Sequence, residues 1–295
     1  MQKVILYYKF VPLTDTEATR LWQKTLCEKL NLQGRIIISS QGINGTLGGD
    51  LRDLKAYIKD TKSFTPFKGI SFKWTAGGRG DFPKLSVKIR DEVVTFGATA
   101  ELKIDESGVI GGGQRLKPEQ VHELVNEHGD NVVFFDGRNS YEAAVGKFKN
   151  AVVPDVSTAK DFIHEIEKPE YEKLKDKQVV AYCTGGIRCE ILSALMKNRG
   201  FKHVYQLDGG IVKYGEKYGD DGLWEGSLYN FDNRMTTKFS DHAQDIGSCV
   251  YCGGQTSNYQ NCANNACNKL ILSCDNCSQQ TACGSACAKL VIQTA

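Results

Sequence analysis

Val179-Val180-Ala181-Tyr182 runs without interruption into Cys183-Thr184-Gly185-Gly186-Ile187-Arg188-Cys189-Glu190, and Ile191 to Arg199 then reads as a helix. A short, wholly apolar run predicts a strand covered on both faces, as in a parallel α/β sheet. Cys183 then falls at the carboxyl end of such a strand, facing a helix N-terminus, the place where open α/β sheets bind ligands. The two glycines let the backbone curl around the sulfur, so that the N–H groups of Thr184, Gly185, Gly186 and Ile187 form an anion nest. Arg188 adds a fixed positive charge. Both effects favour thiolate, and such surroundings bring a cysteine from a pKa of ~8.5 into the range of ~3.5–7.5. The competing reading is an inert core cysteine beside an ordinary turn, since free cysteine is among the most buried residue types. Two roles are open to Cys189: a resolving thiol or a small packed hydrophobe.

Working outward, the same pattern extends on both sides. A helix from Pro118 to Glu127 and apolar strands at Val132–Phe135, Ala151–Val153 and Val204–Leu207 make residues 117–220 a parallel α/β domain. The first 97 residues differ. They give a strand at Val4–Phe10, a helix at Thr16–Leu30 capped by Thr14 or Asp15, and a strand at Ile36–Ile38. A Gly42–Gly45 turn with a short Thr46–Leu47 follows, then a helix from Asp50 to Asp60 and strands at Ile70–Thr75 and Leu85–Ile89. The order β-α-β-β-α-β implies a ferredoxin-like, acylphosphatase-like α+β sandwich. Residues 98–116, with Gly111-Gly112-Gly113, read as a linker, and 221–248 as a polar connection to a Cys-rich module at 249–295.

A chain of 295 residues exceeds one compact core, and 41% hydrophobic with 24% charged residues supports folded domains over global disorder. The net charge of +2 excludes a polycationic nucleic-acid coat, so any basic surface is local. No run of 18 apolar residues exists and Met1 opens onto a strand pattern, so the expectation is a cytoplasmic protein with no membrane partner.

Eight of the eleven cysteines lie in the tail, as Cys249-x2-Cys252, Cys262-x4-Cys267, Cys274-x2-Cys277 and Cys283-x3-Cys287. Four close pairs are what two four-thiolate zinc sites require, and a tail with few large apolar groups needs such a staple to fold. Disulfides formed on oxidation and iron–sulfur ligation compete with zinc, and spacing alone leaves the grouping of the pairs open.

Between Arg52 and Arg90 there are ten basic and three acidic residues, a local excess of +7. Lys55, Lys59, Lys62, Lys68, Lys73, Arg79, Lys84 and Lys88 are interleaved there with Tyr57, Phe64, Phe67, Phe72, Trp74 and Phe82. That mixture suits phosphate neutralisation and base stacking, and it marks the N-terminal domain as the RNA-binding one. The alternative is solvated lysines over core aromatics.

The segment Cys183-Thr184-Gly185-Gly186-Ile187-Arg188 resembles the active loop of the rhodanese superfamily. Asp136-Gly137-Arg138, Glu142 and Gly146-Lys147-Phe148-Lys149-Asn150-Ala151 are similar to its supporting signature, with Lys147 where the family commonly has His and Asn150 where it has Gly. The resemblance to the shorter Cys-x4-Arg loop disfavours a phosphatase. With Ser40-Gln41-Gly42-Ile43-Asn44-Gly45, Phe231-Asp232-Asn233-Arg234-Met235 and the Cys-rich tail, the chain resembles the oxygen-dependent tRNA uridine hydroxylases over nearly its whole length. Asn233 replaces the family's Glu.

That resemblance implies conversion of the wobble uridine of tRNA to 5-hydroxyuridine, with dioxygen as co-substrate and Cys183 at the catalytic position. Arg188 and the loop amides would hold negative charge while the Cys183 thiolate attacks a flipped-out uracil or forms a reactive sulfur species. No flavin or nicotinamide fingerprint is present, and His122, His128, His164, His203 and His242 make no two-His-one-carboxylate iron pattern. Two rivals share the evidence. One is a sulfurtransferase working through a Cys183 persulfide, the other a non-catalytic RNA-binding adaptor.

Overall fold

Side-chain alternation organises the first half of the larger unit. In β1 (Gln2–Phe10), Ile5 and Tyr7 enter an apolar core with Leu26, Cys27, Leu54 and Tyr57, while Phe10, of the opposite parity, enters a different core. The computed structural model describes residues 1–287, so positions 288–295 of the Cys-rich tail lie outside the described residues. The chain divides into two units, residues 1–139 with 150–217, and residues 140–149 with the chain from 218 onward.

In the larger unit β1 is followed by α1 (Thr16–Lys29), β2 (Gln33–Ser39), β3 (Gly42–Asp50), α2 (Leu51–Ser63), β4 (Ser71–Thr75) and β5 (Leu85–Ile89). Asp15 caps α1, its carboxylate accepting the Ala18 N–H at 2.8 Å. The sheet order is β4-β1-β3-β2-β5, antiparallel except for the parallel β2–β5 pair, as in an acylphosphatase-like sandwich with an added edge strand. One segment departs from expectation. Gly42–Gly45 is not a turn but the start of the nine-residue β3, because its missing side chains make room for neighbours: a Cβ at Gly45 would meet the Tyr7 ring at 2.3 Å.

Residues 98–116, expected as a linker, are structured. They carry a hairpin of β6 (Ile104–Asp105) and β7 (Gly108–Val109), then β8 (Gln114–Leu116), the edge strand of the second sheet. Phe96 stacks on Phe162 at 6.1 Å, and Val93 and Ala98 share the apolar core of Phe135, Leu192 and Leu195, so burial ties this connection down.

The second sheet is wholly parallel, in the order β8-β12-β11-β9, with β9 (Val132–Asp136), β11 (Gln178–Tyr182) and β12 (His203–Leu207). Between β9 and β11 in the chain, α4 (Ser140–Ala143) and β10 (Gly146–Phe148) belong to the smaller unit and α5 (Phe162–Glu165) to the larger. The helices are α3 (Pro118–His128), α6 (Ile187–Asn198) and α7 (Gly210–Tyr218). The expected strand at Ala151–Val153 is a single bridge, Val152 against Phe135, since Pro154 follows and ends extended pairing. Helix α6 begins four residues earlier than its apolar run indicates, directly after Gly186.

In the smaller unit the expected polar connection is partly core. β13 (Trp224–Gly226) pairs with β10, Trp224 is fully buried against Phe148, and β14 (Leu228–Tyr229) pairs with β15 (Thr236–Thr237). The Phe231–Met235 motif turns between β14 and β15, with Asp232 paired to Arg234 and Asn233 exposed. Lys147 stands across from Glu225 in the β10–β13 pair. In the larger unit, Asn150 has φ +57°, a left-handed conformation that Asn tolerates in place of Gly.

Candidate active site

The sulfur loop is held open by its neighbours. Strand β11 ends at Tyr182, and Gly186, at φ +99°, turns the chain into α6 so that Arg188 and Cys189 occupy the helix's first turn. The N–H groups of Ile211 and Val212, at the start of α7, take the carbonyls of Cys183 and Thr184 at 3.0 and 3.1 Å. This fixes the loop carbonyls on α7 and leaves the amides for the sulfur. A side chain at Gly210, φ +66°, would put a Cβ 2.4 Å from the Cys183 carbonyl oxygen. Only glycine allows that approach.

Cys183 Sγ accepts the Gly186 N–H at 3.2 Å, further N–H groups from Arg188 and Cys189, and the Cys189 thiol. Burial pushes its pKa up, but the Cys189 thiol, the Arg188 guanidinium and the amides outweigh it and bring it down to about 5. Burial and the adjoining Cys183 push Cys189 well above the ordinary thiol range, so it stays protonated and donates. Arg188 Nη2 donates to Thr184 Oγ1 at 3.3 Å. Cys183 and Cys189 are both fully buried, so the sulfur is ionised yet sealed in this conformation.

The seal includes a residue from the N-terminal domain. Tyr8 of β1 reaches Gly186, where a Cβ would lie 2.9 Å from its hydroxyl oxygen, and that hydroxyl donates to Glu190 at 2.8 Å. Glu190 also accepts from Arg115 of β8 at 2.7 Å. Of Tyr8, Arg115 and the Asp208–Lys213 pair, 2.5 Å apart, only Asp208 lies in a stretch the sequence singles out, Asp208-Gly209-Gly210, which resembles the closing motif of the rhodanese superfamily. No local pattern links them, because they come from four separate elements.

The supporting motif divides. Asp136 and Arg138 form a fully buried bidentate pair, 2.6 Å and 2.9 Å, with the Arg138 guanidinium over the Tyr182 ring. They brace the ends of β9 and β11 beneath the loop. Glu142 is buried in the smaller unit.

The basic residues that cluster in sequence separate in space. Lys55, Lys59 and Lys62 form an exposed stripe along α2, spaced as one helix face, and Lys84 and Lys88 lie exposed at and just before the β5 edge. Arg79 is half-buried. Lys68 and Lys73 belong to the opposite, β4 edge. There Lys68 is exposed while Lys73 is buried, its Nζ 4.6 Å from the Tyr8 ring centroid. Of the interleaved aromatics, Tyr57, Phe67 and Phe82 are buried and Phe64 is the exposed one.

In the smaller unit the cysteines form two sets, Cys249, Cys252, Cys274 and Cys277, and Cys262, Cys267, Cys283 and Cys287, with all four sulfurs of each within 4.8 Å. The first pair joins the third and the second joins the fourth because a hairpin, β16 (Tyr259–Asn261) and β17 (Leu270–Leu272), lies between them. Cys274 follows one end of it, and Cys262 and Cys267 lie in the connection at the other. All are free thiols, with sulfur separations of 3.6 Å for Cys252–Cys274 and Cys267–Cys283 and 3.4 Å for Cys283–Cys287. Tetrahedral thiolate coordination with ~2.3 Å bonds sets ~3.8 Å between sulfurs. Each set can therefore hold a metal ion.

Among the described residues no helix is long and apolar enough to cross a membrane. The UPF0176 acylphosphatase-like domain matches residues 2–93, the rhodanese-like domain 117–217 and the rhodanese C-terminal family 225–288. The chain is 61% identical to a tRNA uridine(34) hydroxylase of Corynebacterium urealyticum, with 96% of each chain covered. It is 60% identical to the protein of that name from Corynebacterium kroppenstedtii, over 94% of each, and 59% identical to that of an Arthrobacter species, over 94% of this chain and 95% of the relative. With relatives of nearly equal length about 60% identical over almost the whole chain, and with the acylphosphatase-like and rhodanese-like domains both matched, the chain belongs to the tRNA uridine(34) hydroxylase family.

Proposed function

We propose that this chain hydroxylates C5 of the uridine at position 34 of tRNA with dioxygen, with the Cys183 thiolate as nucleophile. The observation that carries the reading is a sulfur with its pKa lowered to about 5 at the carboxyl end of a parallel strand. Addition of that sulfur to C6 of a flipped-out uracil forms an S–C6 bond and moves the C5–C6 π pair toward C5 and O4. The electron-rich C5 is then the atom that meets dioxygen. Conversion of C5–H to C5–OH by one dioxygen takes up two electrons and two protons and releases one water, so a two-electron reductant such as a pair of thiols, oxidised to a disulfide, is consumed. Expulsion of the thiolate restores Cys183.

On this reading Arg188 and the amides of residues 184–187 keep the sulfur ionised before attack and after release, and Cys189 serves as its thiol donor. Because the sulfur is sealed at rest, Tyr8 must move off Gly186 to admit a base. Residues 1–97 bind tRNA through the exposed lysines, 117–220 carry the chemistry, and 249–295 are a tail in which each cysteine set holds one zinc ion. Four thiolates complete a tetrahedron with no open position, so zinc there supplies folding energy to the tail. A tRNA substrate assigns the work to the cytoplasm.

The test is purified protein with unmodified tRNA, a thiol reductant and 18O2, read by nucleoside mass spectrometry. The expected product is 5-hydroxyuridine carrying one 18O, absent with Cys183→Ser. Label derived from water, or a change confined to thiolated nucleosides, contradicts hydroxylation and favours the sulfurtransferase.

A further inference from the structure

A cavity of about 260 Å³ is walled by β1, β4, the β6–β7 hairpin and the Asp208–Gly209 turn, and Tyr8, which reaches Gly186 of the sulfur loop, lines it. Its lining carries Lys9, Lys68, Lys73, Arg115 and Lys213 against one carboxylate, Asp208. Most of these cations are already engaged: Arg115 with Glu190, Lys213 with Asp208, and Lys9 with the Lys68 carbonyl at 2.6 Å. Lys73 is different. It is 9% exposed, and among the described residues it has neither an ion pair nor a hydrogen bond, only the face of Tyr8.

A buried ammonium with no anion in contact is costly, and replacing one with an apolar residue of similar length should cost the fold little. Its presence on the cavity wall points to an anion that arrives from outside. The alternation of β4 explains how it gets there. Phe72 and Trp74 pack on the domain's own core, which turns Lys73 to the opposite face, diagonal to Tyr8 across the β1–β4 ladder. The same Lys73 lies close enough to feel the charges of Cys183, Asp208 and Glu190, and burial lowers its pKa to about 8.

We infer that Lys73, with Lys68 at the mouth of the cavity, binds the phosphate of the target nucleotide and so registers its base on the Cys183 loop. The inference rests on the hydroxylase reading for the identity of the nucleotide. The cavity lies near the lower end of the ~300–1,000 Å³ range of small-ligand sites, which suits one splayed nucleotide and excludes a paired stem.

The experiment titrates uridine 5′-monophosphate, uridine and inorganic phosphate into the full-length protein by NMR, with Lys73→Met and Lys73→Arg beside wild type. The monophosphate is expected to bind about 10- to 100-fold more tightly than uridine, to be displaced by phosphate, and to weaken by a similar factor in Lys73→Met, with recovery in Lys73→Arg. Lys73→Met should unfold close to wild type. With tRNA, KM should rise in Lys73→Met, while Lys73→Arg, which keeps the charge, leaves the Cys183 titration midpoint in place. Equal affinity for uridine and its monophosphate in wild type overturns the site without any variant. So does a Lys73→Met variant that binds the monophosphate normally, or one whose main effect is a raised Cys183 midpoint. Nucleotide binding needs neither dioxygen nor turnover, so failure here is distinguishable from failure of the hydroxylase reading.

Discussion

Cysteine appears in two settings in this chain, and the settings assign it opposite work. In the loop after β11 one sulfur is ionised by backbone N–H groups, a neighbouring thiol and Arg188, all supplied by protein. In the tail, two sets of four sulfurs converge within 4.8 Å. Four thiolates so close would repel one another without a cation, and around one metal ion they would fill every coordination position. The loop stabilises a thiolate with hydrogen-bond donors alone, which on the proposed reading leaves the sulfur free to attack carbon. The tail, on the proposed reading, makes sulfurs inert by committing all four of each set to one ion. Composition alone cannot separate the two; the surroundings do.

The contrast predicts separable losses. Cys183→Ser should lower hydroxylation by at least ~10³-fold, as expected for a nucleophile, while metal analysis still finds two zinc ions per chain. Cys277→Ser should do the reverse to the metal, leaving about one zinc per chain and lowering the unfolding temperature of the smaller unit, with the Cys183 titration unchanged. Loss of both ions in Cys183→Ser, or of neither in Cys277→Ser, breaks the division. A smaller effect tests the seal. Tyr8→Ala should raise the rate of Cys183 alkylation by iodoacetamide several-fold, measured by peptide mass spectrometry, because it uncovers Gly186. Tyr8→Phe, which keeps the ring and loses only the bond to Glu190, should change it little.

The sulfur loop was legible in the sequence because its determinants are contiguous: an apolar strand, two glycines, an arginine and a helix within a dozen residues. The alternating pattern of the first domain was legible for the same reason, except at β3, where glycines chosen for close packing imitate a turn. What stayed hidden depends on chain segments meeting. Tyr8, Arg115 and Lys213 converge from distant positions, and their local sequences look like ordinary strand and helix. The basic run at 52–90 misleads in the opposite direction, since strand order sends Lys84 and Lys88 to one sheet edge and Lys68 and Lys73 to the other. The interleaving of the tail cysteines likewise needed the β16–β17 hairpin.

The central claim is that the loop holds Cys183 as thiolate at neutral pH. Thiolate absorbance at 240 nm, taken as the difference between wild type and Cys183→Ala across pH 4 to 9, reads that ionisation without requiring access to the sulfur and cancels the tail's contribution. Because the pKa is lowered, the thiolate should persist at high pH and disappear only as the pH falls through a midpoint near 5. A midpoint at the ordinary ~8.5 of a free cysteine would contradict the account.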